Sequence, residues 1–357
     1  MASTAMVFDG VTVEPGQSKN IRIKISETYT GDEIRMPIRV IRSKEPGPTV
    51  FITAAIHGDE INGTGIIHDF MFGDMVEILK GTLILVPVVN VFGFETHERY
   101  LPDRRDLNRS FPGTSQGSLA SRMARKLMKE VVLKCDFGID LHSAAFQRTN
   151  FPNVRADLTS KPVRELARAF GAALIVDGKG PVGAFRREAT RAGCPTIILE
   201  AGEPWKIEPS VLKIGVQGIR NTLIYLGMMA GERVEPPYQA IIRKSVWLRA
   251  TVGGILKFHV TAGEFVEKDQ PIATNYSILG QEQNAILCPQ DGIILGIATL
   301  PAVKPGEPVV HVAFPNKRIT ELRRKLKNAE GSDTLKKAGR DLATNIDVVE
   351  PASQSKT

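Results

Sequence analysis

Three short stretches of the sequence carry side chains that can bind a metal ion or move a proton. The first is His-Gly-Asp-Glu at residues 57–60, in which His57 and Glu60 stand three residues apart. His142 ends an Asp-Leu-His stretch, and Glu200 begins a Glu-Ala-Gly stretch. A catalytic zinc ion commonly takes two histidines and one carboxylate and keeps one position open for water. His57, Glu60 and His142 are therefore candidate metal ligands, although an isolated H-x-x-E is weak evidence because single histidines more often pack or cap.

Each of these stretches stands at the end of a predicted strand. Apolar runs span residues 49–56, 136–141 and 195–199, and such runs are typical of strands that are buried on both faces of a sheet. The carboxyl ends of parallel strands form the crevice in which α/β proteins bind ligands. We therefore expect the candidate side chains to meet at one edge of a sheet.

Helical patterns alternate with the predicted strands. They cover residues 62–79, 118–134, 162–170 and 210–229. This alternation predicts an α/β fold with a mixed, largely parallel sheet and helices on both of its faces. From Tyr238 to Phe314 the pattern changes to short β-like runs separated by glycines, which predicts a small all-β C-terminal module.

Glu200 is a candidate proton carrier. A carboxylate at the end of an apolar strand is costly to bury unless it has a partner or a chemical role. Beside a metal-activated water it would act as general base and then return the proton to a leaving amine. The alternative interpretation is a helix-capping or surface glutamate.

A long polar loop at residues 95–113 supplies arginines between the first two stretches. It contains Arg99, Arg104 and Arg105, and it ends in Asp-Leu-Asn-Arg at residues 106–109 and Phe-Pro-Gly. Guanidinium groups can bind a carboxylate through two hydrogen bonds or polarise a carbonyl that is becoming an oxyanion. A salt-bridged surface loop remains the alternative for Arg104 and Arg105.

Four motifs in this order resemble the succinylglutamate desuccinylase/aspartoacylase family, which belongs to the wider zinc carboxypeptidase-like fold. The motifs are H-G-D-E, D-L-N-R, D-L-H and E-A-G. The resemblance implies one Zn²⁺ per chain, held by His57, Glu60 and His142, and Glu200 as the base that activates the zinc-bound water. It also implies that a substrate carboxylate is held by Asn108 and Arg109. The family's carbonyl-polarising arginine corresponds to Arg99, with Arg105 as the alternative.

The resemblance also implies a reaction. The expected activity is zinc-dependent hydrolysis of the amide bond of an N-acylated amino acid or amine, with a small molecule as the substrate. A zinc carboxypeptidase that acts on a peptide or isopeptide C-terminus is the close alternative. A catalytically inactive binding protein is disfavoured because all four motifs are intact. A homo-oligomer is compatible with the sequence.

Four segments are expected along the chain. Residues 1–44 form an N-terminal β segment of the catalytic unit, and residues 45–235 form the zinc hydrolase domain. Residues 236–315 form a β-barrel or sandwich-like domain, and residues 316–357 a charged helical or disordered tail. Residues 263–272 resemble the G-x-x-V-x-x-x-x-x-I strand pattern of biotinyl and lipoyl carrier domains, but the stretch that would present a modified lysine, residues 275–284, contains none. We interpret the β domain as a structural or gating cover with no attached cofactor.

Composition argues against other classes. The net charge is +7, but the tail from residue 316 holds ten Lys and Arg against six Asp and Glu, so its contribution is +4. Aromatic residues make up 6% of the chain, which disfavours nucleic-acid binding. The longest apolar stretch, residues 82–89, is too short to span a membrane, and the start shows no secretory signal. Three scattered cysteines predict buried thiols in a reducing, cytoplasmic setting.

Several other basic residues are weaker candidates for the pocket. Arg186, Arg187 and Arg191 precede the Glu200 strand and could reach it. His97, in the arginine-rich loop, could line it. For His68, His259 and His311 we expect packing or surface roles.

Overall fold

The computed structural model describes residues 5–72, 76–328, 332–343 and 348. The strands are β1 (Met6–Phe8), β2 (Val11–Val13), β3 (Ser18–Glu27), β4 (Glu33–Arg42), β5 (Thr49–Ala54), β6 (Thr82–Val86), β7 (Phe137–His142), β8 (Arg148–Ala156), β9 (Leu174–Asp177), β10 (Thr196–Gly202), β11 (Ala240–Arg249), β12 (Gly254–Phe258), β13 (Phe265–Val266), β14 (Pro271–Tyr276), β15 (Glu282–Leu287), β16 (Gly292–Ala298), β17 (Ala302–Val303) and β18 (Pro308–Pro315). The helices are α1 (Asn62–Phe72), α2 (Val91–Thr96), α3 (Leu119–Glu130), α4 (Lys161–Phe170), α5 (Phe185–Arg191), α6 (Pro209–Tyr225), α7 (Ile319–Asn328) and α8 (Ser332–Asp341).

One mixed sheet organises the molecule, with strand order β13-β16-β18-β11-β9-β8-β10-β7-β5-β6-β4-β3. Its centre, β6-β5-β7-β10, is parallel. β8 runs antiparallel to β10, and β3 and β4 form an antiparallel edge. The predicted α/β class is confirmed, and a second parallel group, β8-β9-β11, lies beside the central four strands.

Helices cover both faces of this sheet because the central strands are apolar on both sides. Val50 and Ile52 of β5 pack in a core cluster with residues of α1, α4 and α6. Phe51, which points to the opposite face, packs in a second cluster with residues of α3 and α5. The three residues are fully buried, as expected for a strand with a core on each side.

The predicted helices are shorter in the structure than in the sequence pattern. α1 ends at Phe72, and residues 76–80 are not helical. α3 ends at Glu130 and is followed by a turn of 3₁₀-helix at Val132–Lys134. None of the described helices is long and apolar enough to cross a membrane.

The C-terminal strands are divided between two sheets. β11, β13, β16 and β18 extend the main sheet, with β11 paired to β9 and β16 paired to β8. β15-β14-β12-β17 form a separate four-stranded sheet. The region predicted as a separate β module therefore continues the catalytic sheet, and a domain boundary near residue 236 stays a prediction. In the predicted tail the structure places two helices, α7 and α8, whereas residues 349–357 lie outside the described residues.

Candidate active site

Two histidines and a glutamate converge at the carboxyl ends of β5 and β7. Nδ1 of His57 lies 2.6 Å from Oε1 of Glu60, and Nδ1 of His142 lies 2.8 Å from Oε2 of the same carboxylate. One ligand-type atom from each of the three residues lies within 4.8 Å of the others, and all three side chains are buried. This donor set of two imidazoles and a carboxylate suits a zinc ion with an open position.

Local backbone geometry directs the H-G-D-E stretch into the site. Ala55, directly after β5, has a φ of 50°, a conformation that costs energy for a residue with a Cβ and that clusters at functional sites. Gly58 packs against the backbone of α2, so that a Cβ at this position would lie 1.9 Å from the carbonyl carbon of Gly93. The glycine of the motif is therefore required by the close approach of α2.

A second layer of carboxylates holds the other nitrogen of each imidazole. Nε2 of His57 lies 3.1 Å from Oδ1 of Asp106, and Nε2 of His142 lies 2.7 Å from Oδ2 of Asp140. Asp140 also accepts a hydrogen bond from Oγ1 of Thr53. Such partners fix the tautomer of a ligating histidine. Both Nδ1 atoms are thereby directed towards Glu60.

The buried charges alter one another's proton affinity. Burial alone would raise the pKa of Glu60, but the imidazoles of His57 and His142 outweigh it and hold the pKa well below its usual value. Burial also opposes protonation of His142, yet the carboxylates of Asp140 and Glu60 raise its pKa well above the ordinary range. For Asp106, the bond to His57 overcomes burial and lowers the pKa. The two imidazoles therefore favour an anionic Glu60.

Of the two alternatives for the polarising arginine, Arg99 lies at the site. Its Nη1 donates to Oε1 of Glu60 at 2.9 Å, and its Nη2 lies 3.4 Å from Oδ2 of Asp106. The Arg99 side chain is 24% exposed. Arg105 lies on the surface, with a side chain that is 63% exposed and faces Asp103. The fold therefore brings Arg99, and not Arg105, to the cluster of candidate metal ligands.

Asn108 and Arg109 form a turn of 3₁₀-helix, residues 107–109, that opens onto the same cavity. Oδ1 of Asn108 accepts a hydrogen bond from the backbone N–H of Phe185 at 2.8 Å, which leaves the amide NH₂ as the donor for a ligand. Arg109 is held by a bond from its Nη1 to the Asn108 carbonyl. The loop packs closely on Gly183, where a Cβ would lie 2.5 Å from the Arg109 carbonyl oxygen.

Glu200 lies at the end of β10, directly beside His142 of β7 in the parallel register. Its Oε2 accepts a hydrogen bond from Nδ2 of Asn150 at 3.1 Å, and its Oε1 lies 3.4 Å from Nη1 of Arg155. The side chain is 13% exposed and lines the cavity. Its placement fits a group that exchanges protons with a ligand.

One cavity of about 440 Å³ brings most of these side chains together. It is lined by the candidate metal ligands His57, Glu60 and His142 and by Arg99, Asn108, Arg109 and Glu200. The C-terminal strands close one side with Ser245, Trp247, Leu295 and His311.

The expectation that His311 has only a packing or surface role is therefore incomplete. The His311 ring stacks on Trp247 with centroids 4.7 Å apart, and Nε2 lies 2.9 Å from Oγ of Ser245. Burial and the charges of Arg155 and Arg148 lower the pKa of His311 to about 4. At neutral pH the cavity wall therefore presents a neutral imidazole.

Arg186 is the one of the three α5 arginines that reaches the cavity wall. It is 6% exposed, and within the described part of the chain it makes no hydrogen bond, although Asp157, Glu200 and Asp140 act on it electrostatically. Burial and the charge of Arg155 lower its pKa to about 10. An unpaired buried guanidinium is costly unless a ligand supplies the anion.

The other weaker candidates lie elsewhere. Arg187 donates to the carbonyl of Gly180 at 3.0 Å, and Arg191 is 80% exposed beside Glu188. His97 is exposed at the end of α2, where its carbonyl accepts a bond from Trp205.

Sequence reasoning missed the second layer of carboxylates and the far wall of the cavity. Asp106 and Asp140 stand inside the D-L-N-R and D-L-H motifs, and the two-residue spacing of Asp140 from His142 was an available signal. Asn150 and Arg155 stand outside the four motifs, and the strand that holds them, β8, was not predicted from the sequence.

The chain was compared with models of known protein families and with proteins of known sequence or structure. The model of the succinylglutamate desuccinylase/aspartoacylase catalytic domain matches residues 46–226, which contain all four motifs. The chain belongs to the succinylglutamate desuccinylase/aspartoacylase family. The resemblance inferred from the motifs is confirmed.

Relatives within the succinylglutamate desuccinylase/aspartoacylase family span most of the chain. An N-α-acetyl-L-2,4-diaminobutyric acid deacetylase from Halomonas elongata is 28% identical over 288 residues, which is 77% of this chain and 83% of that protein. The crystal structure of a succinylglutamate desuccinylase/aspartoacylase from Rhodobacter sphaeroides is 25% identical, with a TM-score of 0.72 over 84% of this chain and 95% of that chain. The product-bound ectoine utilization protein EutE (DoeB) from Ruegeria pomeroyi has the same fold, with a TM-score of 0.73, 23% identity and coverage of 83% and 95%.

The match to the family's catalytic domain stops short of part of the cavity. Ser245, Trp247, Leu295 and His311 all lie beyond residue 226. The C-terminal wall of the cavity is therefore a feature of this chain's structure outside the matched region.

Proposed function

We propose that the chain is a zinc-dependent deacylase that hydrolyses the amide bond of an N-acylated amino acid or amine. The observation that carries the proposal is that His57, Glu60 and His142 line the same cavity as Glu200. Asn108 and Arg109, whose side chains can donate hydrogen bonds to a carboxylate, line it too. Activity of the Halomonas relative on an N-acetylated amino acid supports the same reaction class.

His57, Glu60 and His142 would hold the zinc ion. Their fit rests on the donor set itself, since both imidazoles turn Nδ1 towards Glu60 while Asp106 and Asp140 engage Nε2. When bound there, zinc supplies Lewis-acid chemistry, because it polarises an oxygen and lowers the pKa of a coordinated water.

Substrate binding is assigned to the arginine-rich side of the cavity. Asn108 and Arg109 bind a carboxylate of the substrate through the amide NH₂ and the guanidinium. Arg99, fixed by Glu60 and Asp106, donates to the carbonyl oxygen of the scissile amide, where negative charge develops during attack. This orientation places the amide between the metal ligands and Glu200.

Glu200 carries the proton in both halves of the reaction. It accepts a proton from the attacking water and then donates it to the departing amine nitrogen. The bonds broken and formed are the amide C–N bond and a new C–O bond, and the products are a carboxylic acid and a free amine. No oxidant, reductant or co-substrate other than water is required.

The charge of the cavity supports an anionic substrate. Among the described residues that line it, there are five arginines and two glutamates. A second acidic group on the substrate would meet Arg186, whose guanidinium makes no hydrogen bond among those residues. We therefore place N-acylated acidic amino acids ahead of N-acylated diamino acids.

The dimensions of the cavity support a small molecule over a peptide. A volume of about 440 Å³ lies within the range of small-molecule pockets. Ser245, Trp247 and His311 line one side of this cavity. The carboxypeptidase alternative is retained as an arm of the test.

The test is a hydrolysis screen of the purified, zinc-loaded chain. It uses N-acetyl and N-succinyl derivatives of acidic, neutral and diamino acids, together with peptides that have free C-termini, each with and without a chelator. Chelator-sensitive release of a free amine from an N-acyl amino acid supports the proposal. Release of C-terminal residues from peptides, without hydrolysis of any N-acyl amino acid, would support the carboxypeptidase instead of the deacylase. Absence of hydrolysis of every substrate would contradict both activities.

A further inference from the structure

Strand β8 surrounds Glu200 with polar side chains. Nδ2 of Asn150 donates to Oε2 of Glu200 at 3.1 Å, and Nη1 of Arg155 lies 3.4 Å from Oε1. Asn153, between them, donates to the Glu200 backbone carbonyl at 3.3 Å. Three side chains of one strand thus contact a single residue of its neighbour.

A β-bulge makes this arrangement possible. In the antiparallel register Glu200 faces Asn153 and Gly202 faces Asn150, so that three steps along β8 match two steps along β10. Regular alternation would place residues 150 and 153 on opposite faces of the sheet. A bulge re-aims the side chains on one side of it. Pro152 stands inside the bulge, which is where a strand tolerates proline.

The C-terminal sheet extension fixes Asn150 from its other side. β16 pairs antiparallel with the start of β8, with Gly296 opposite Asn150. A Cβ on Gly296 would lie 2.8 Å from Oδ1 of Asn150 and 2.9 Å from the backbone carbonyl oxygen of Thr149, closer than such atoms can approach. Since Gly296 has no positive φ, the need for glycine here is one of space. The Asn150 amide thus lies between β16 and the Glu200 carboxylate.

We propose that Asn150 is a positioning residue that fixes the orientation of the Glu200 carboxylate, and that β16 keeps Asn150 in place through Gly296. The inference rests on the proposed role of Glu200 as proton carrier. It gives the C-terminal strands a part in catalysis in addition to closing the cavity. The amide of Asn150 engages Oε2, while Oε1 faces Nη1 of Arg155 at 3.4 Å, so each carboxylate oxygen has a neighbour on β8.

The orientation matters because proton transfer is sensitive to distance. An asparagine with its carbonyl side packed against β16 can present only its NH₂ group to Glu200. Asn150 is 6% exposed, so water replaces this hydrogen bond poorly. Without it the carboxylate can rotate about its last side-chain bond and lose its alignment with the substrate.

The experiment compares Asn150→Ala, Asn150→Asp and Gly296→Ala with the unaltered chain, using the best substrate from the hydrolysis screen. We expect kcat to fall about 10- to 100-fold in each, as for a small misplacement of a catalytic group. KM should change by less than about threefold, since substrate-binding groups are untouched. Zinc content should not change. Asn150→Asp, which keeps the shape but places a second carboxylate beside Glu200, should lose more activity than Asn150→Ala.

Thr149→Val is the matched control. Thr149 is the neighbouring residue of β8, is buried, and its Oγ1 makes no hydrogen bond among the described residues. We expect this variant to keep full activity. If Asn150 acts through Glu200, adding Asn150→Ala to Glu200→Gln should cause no further loss of kcat, whereas a general structural role would give an additional loss.

A crystal structure of the Asn150→Ala variant gives a readout that does not depend on activity. We expect the Glu200 carboxylate to adopt more than one orientation. A single unchanged orientation, or a kcat equal to that of the unaltered chain, would overturn the inference while leaving the proposed function intact. If Asn150→Ala does not fold, Asn150→Asp, which has the same shape, serves for both measurements. Absence of hydrolysis by the unaltered chain would instead contradict the proposed function, and the crystallographic readout would still decide the positioning.

Discussion

Nε2 of His142 lies 2.7 Å from Oδ2 of Asp140, two residues earlier on the same strand. Side chains two apart on a strand share a face, so the spacing of Asp and His within D-L-H itself brings the carboxylate to the imidazole. Asp140 is fully buried and accepts a second bond from Thr53 of β5. The middle residue, Leu141, points into the opposite core.

The Asp140→Asn substitution should weaken zinc binding. The amide keeps the shape of the side chain but removes the negative charge that supports the imidazole, and loss of such a partner typically costs about 10- to 100-fold in metal affinity. Competition against a chromophoric chelator measures the dissociation constant. Asp136→Asn is the matched control, because Asp136 lies just before the other end of β7 and accepts a hydrogen bond from the N–H of Thr49. Equal affinities in both variants would contradict the role of Asp140 in supporting His142.

Arg99 and Arg105 should differ sharply on substitution by methionine. Arg99→Met removes a donor from the position where charge develops on the substrate, and such losses cost about 10²–10³ in kcat. Arg105→Met should leave kcat unchanged, since its side chain lies at the surface. Because Arg99 also bonds Glu60, zinc content is measured on each variant. A loss of activity in Arg105→Met with none in Arg99→Met would reverse the roles.

Arg186→Met should affect binding of substrates that carry a second acidic group. A hydrogen bond to a charged group contributes about 1.5–3 kcal/mol, so KM for N-acylated acidic amino acids should rise about 10- to 100-fold. KM for N-acylated neutral amino acids should change little. Arg191→Met, on the exposed side of the same helix, is the control. An equal effect on both substrate classes would show that Arg186 does not bind the additional group.

His311 should make folding stability depend on pH in the acidic range. Burial lowers its pKa to about 4 in the folded chain, whereas an unfolded imidazole titrates near 6.5. Between these values the unfolded state binds more protons, so stability is complete above pH 6.5 and declines as the pH falls towards 4. Thermal unfolding between pH 7 and 4.5 should show a smaller decrease in Tm for His311→Gln than for the unaltered chain. Parallel curves would show that His311 is not the group responsible.

Much of the site was predictable because the central strands are followed by, or end in, residues whose side chains can bind a metal ion or transfer a proton. The apolar runs that became β5, β7 and β10 are buried on both faces, which leaves a clear sequence pattern. The polar residues that follow them stand out against that background. The sequence pattern alone therefore sufficed to place His57, His142 and Glu200 at one sheet edge.

The far wall of the cavity had no comparable pattern. β8 contains Arg148, Asn150, Pro152, Asn153 and Arg155, a composition more typical of a loop than of a buried strand. These polar groups are tolerated because several of them contact Glu200, and the bulge that aims them breaks the alternation on which strand prediction depends.

The contribution of the C-terminal strands depends on contacts between distant parts of the chain. Trp247 and His311 reach the cavity only because β11 pairs with β9 and β16 pairs with β8. Neither residue carries a local signal for a binding role. Likewise, the choice between Arg99 and Arg105 required the fold, since both stand in one polar loop.

The most direct test of the central claim is hydrolysis by Glu200→Gln at full zinc loading. The glutamine keeps the shape of the side chain and can still accept a bond from Asn150, but it cannot take up a proton. We predict that zinc content and substrate KM are retained while kcat falls by about 10²–10⁴-fold, the usual contribution of a general acid–base. Unchanged hydrolysis with the metal fully bound would contradict the account.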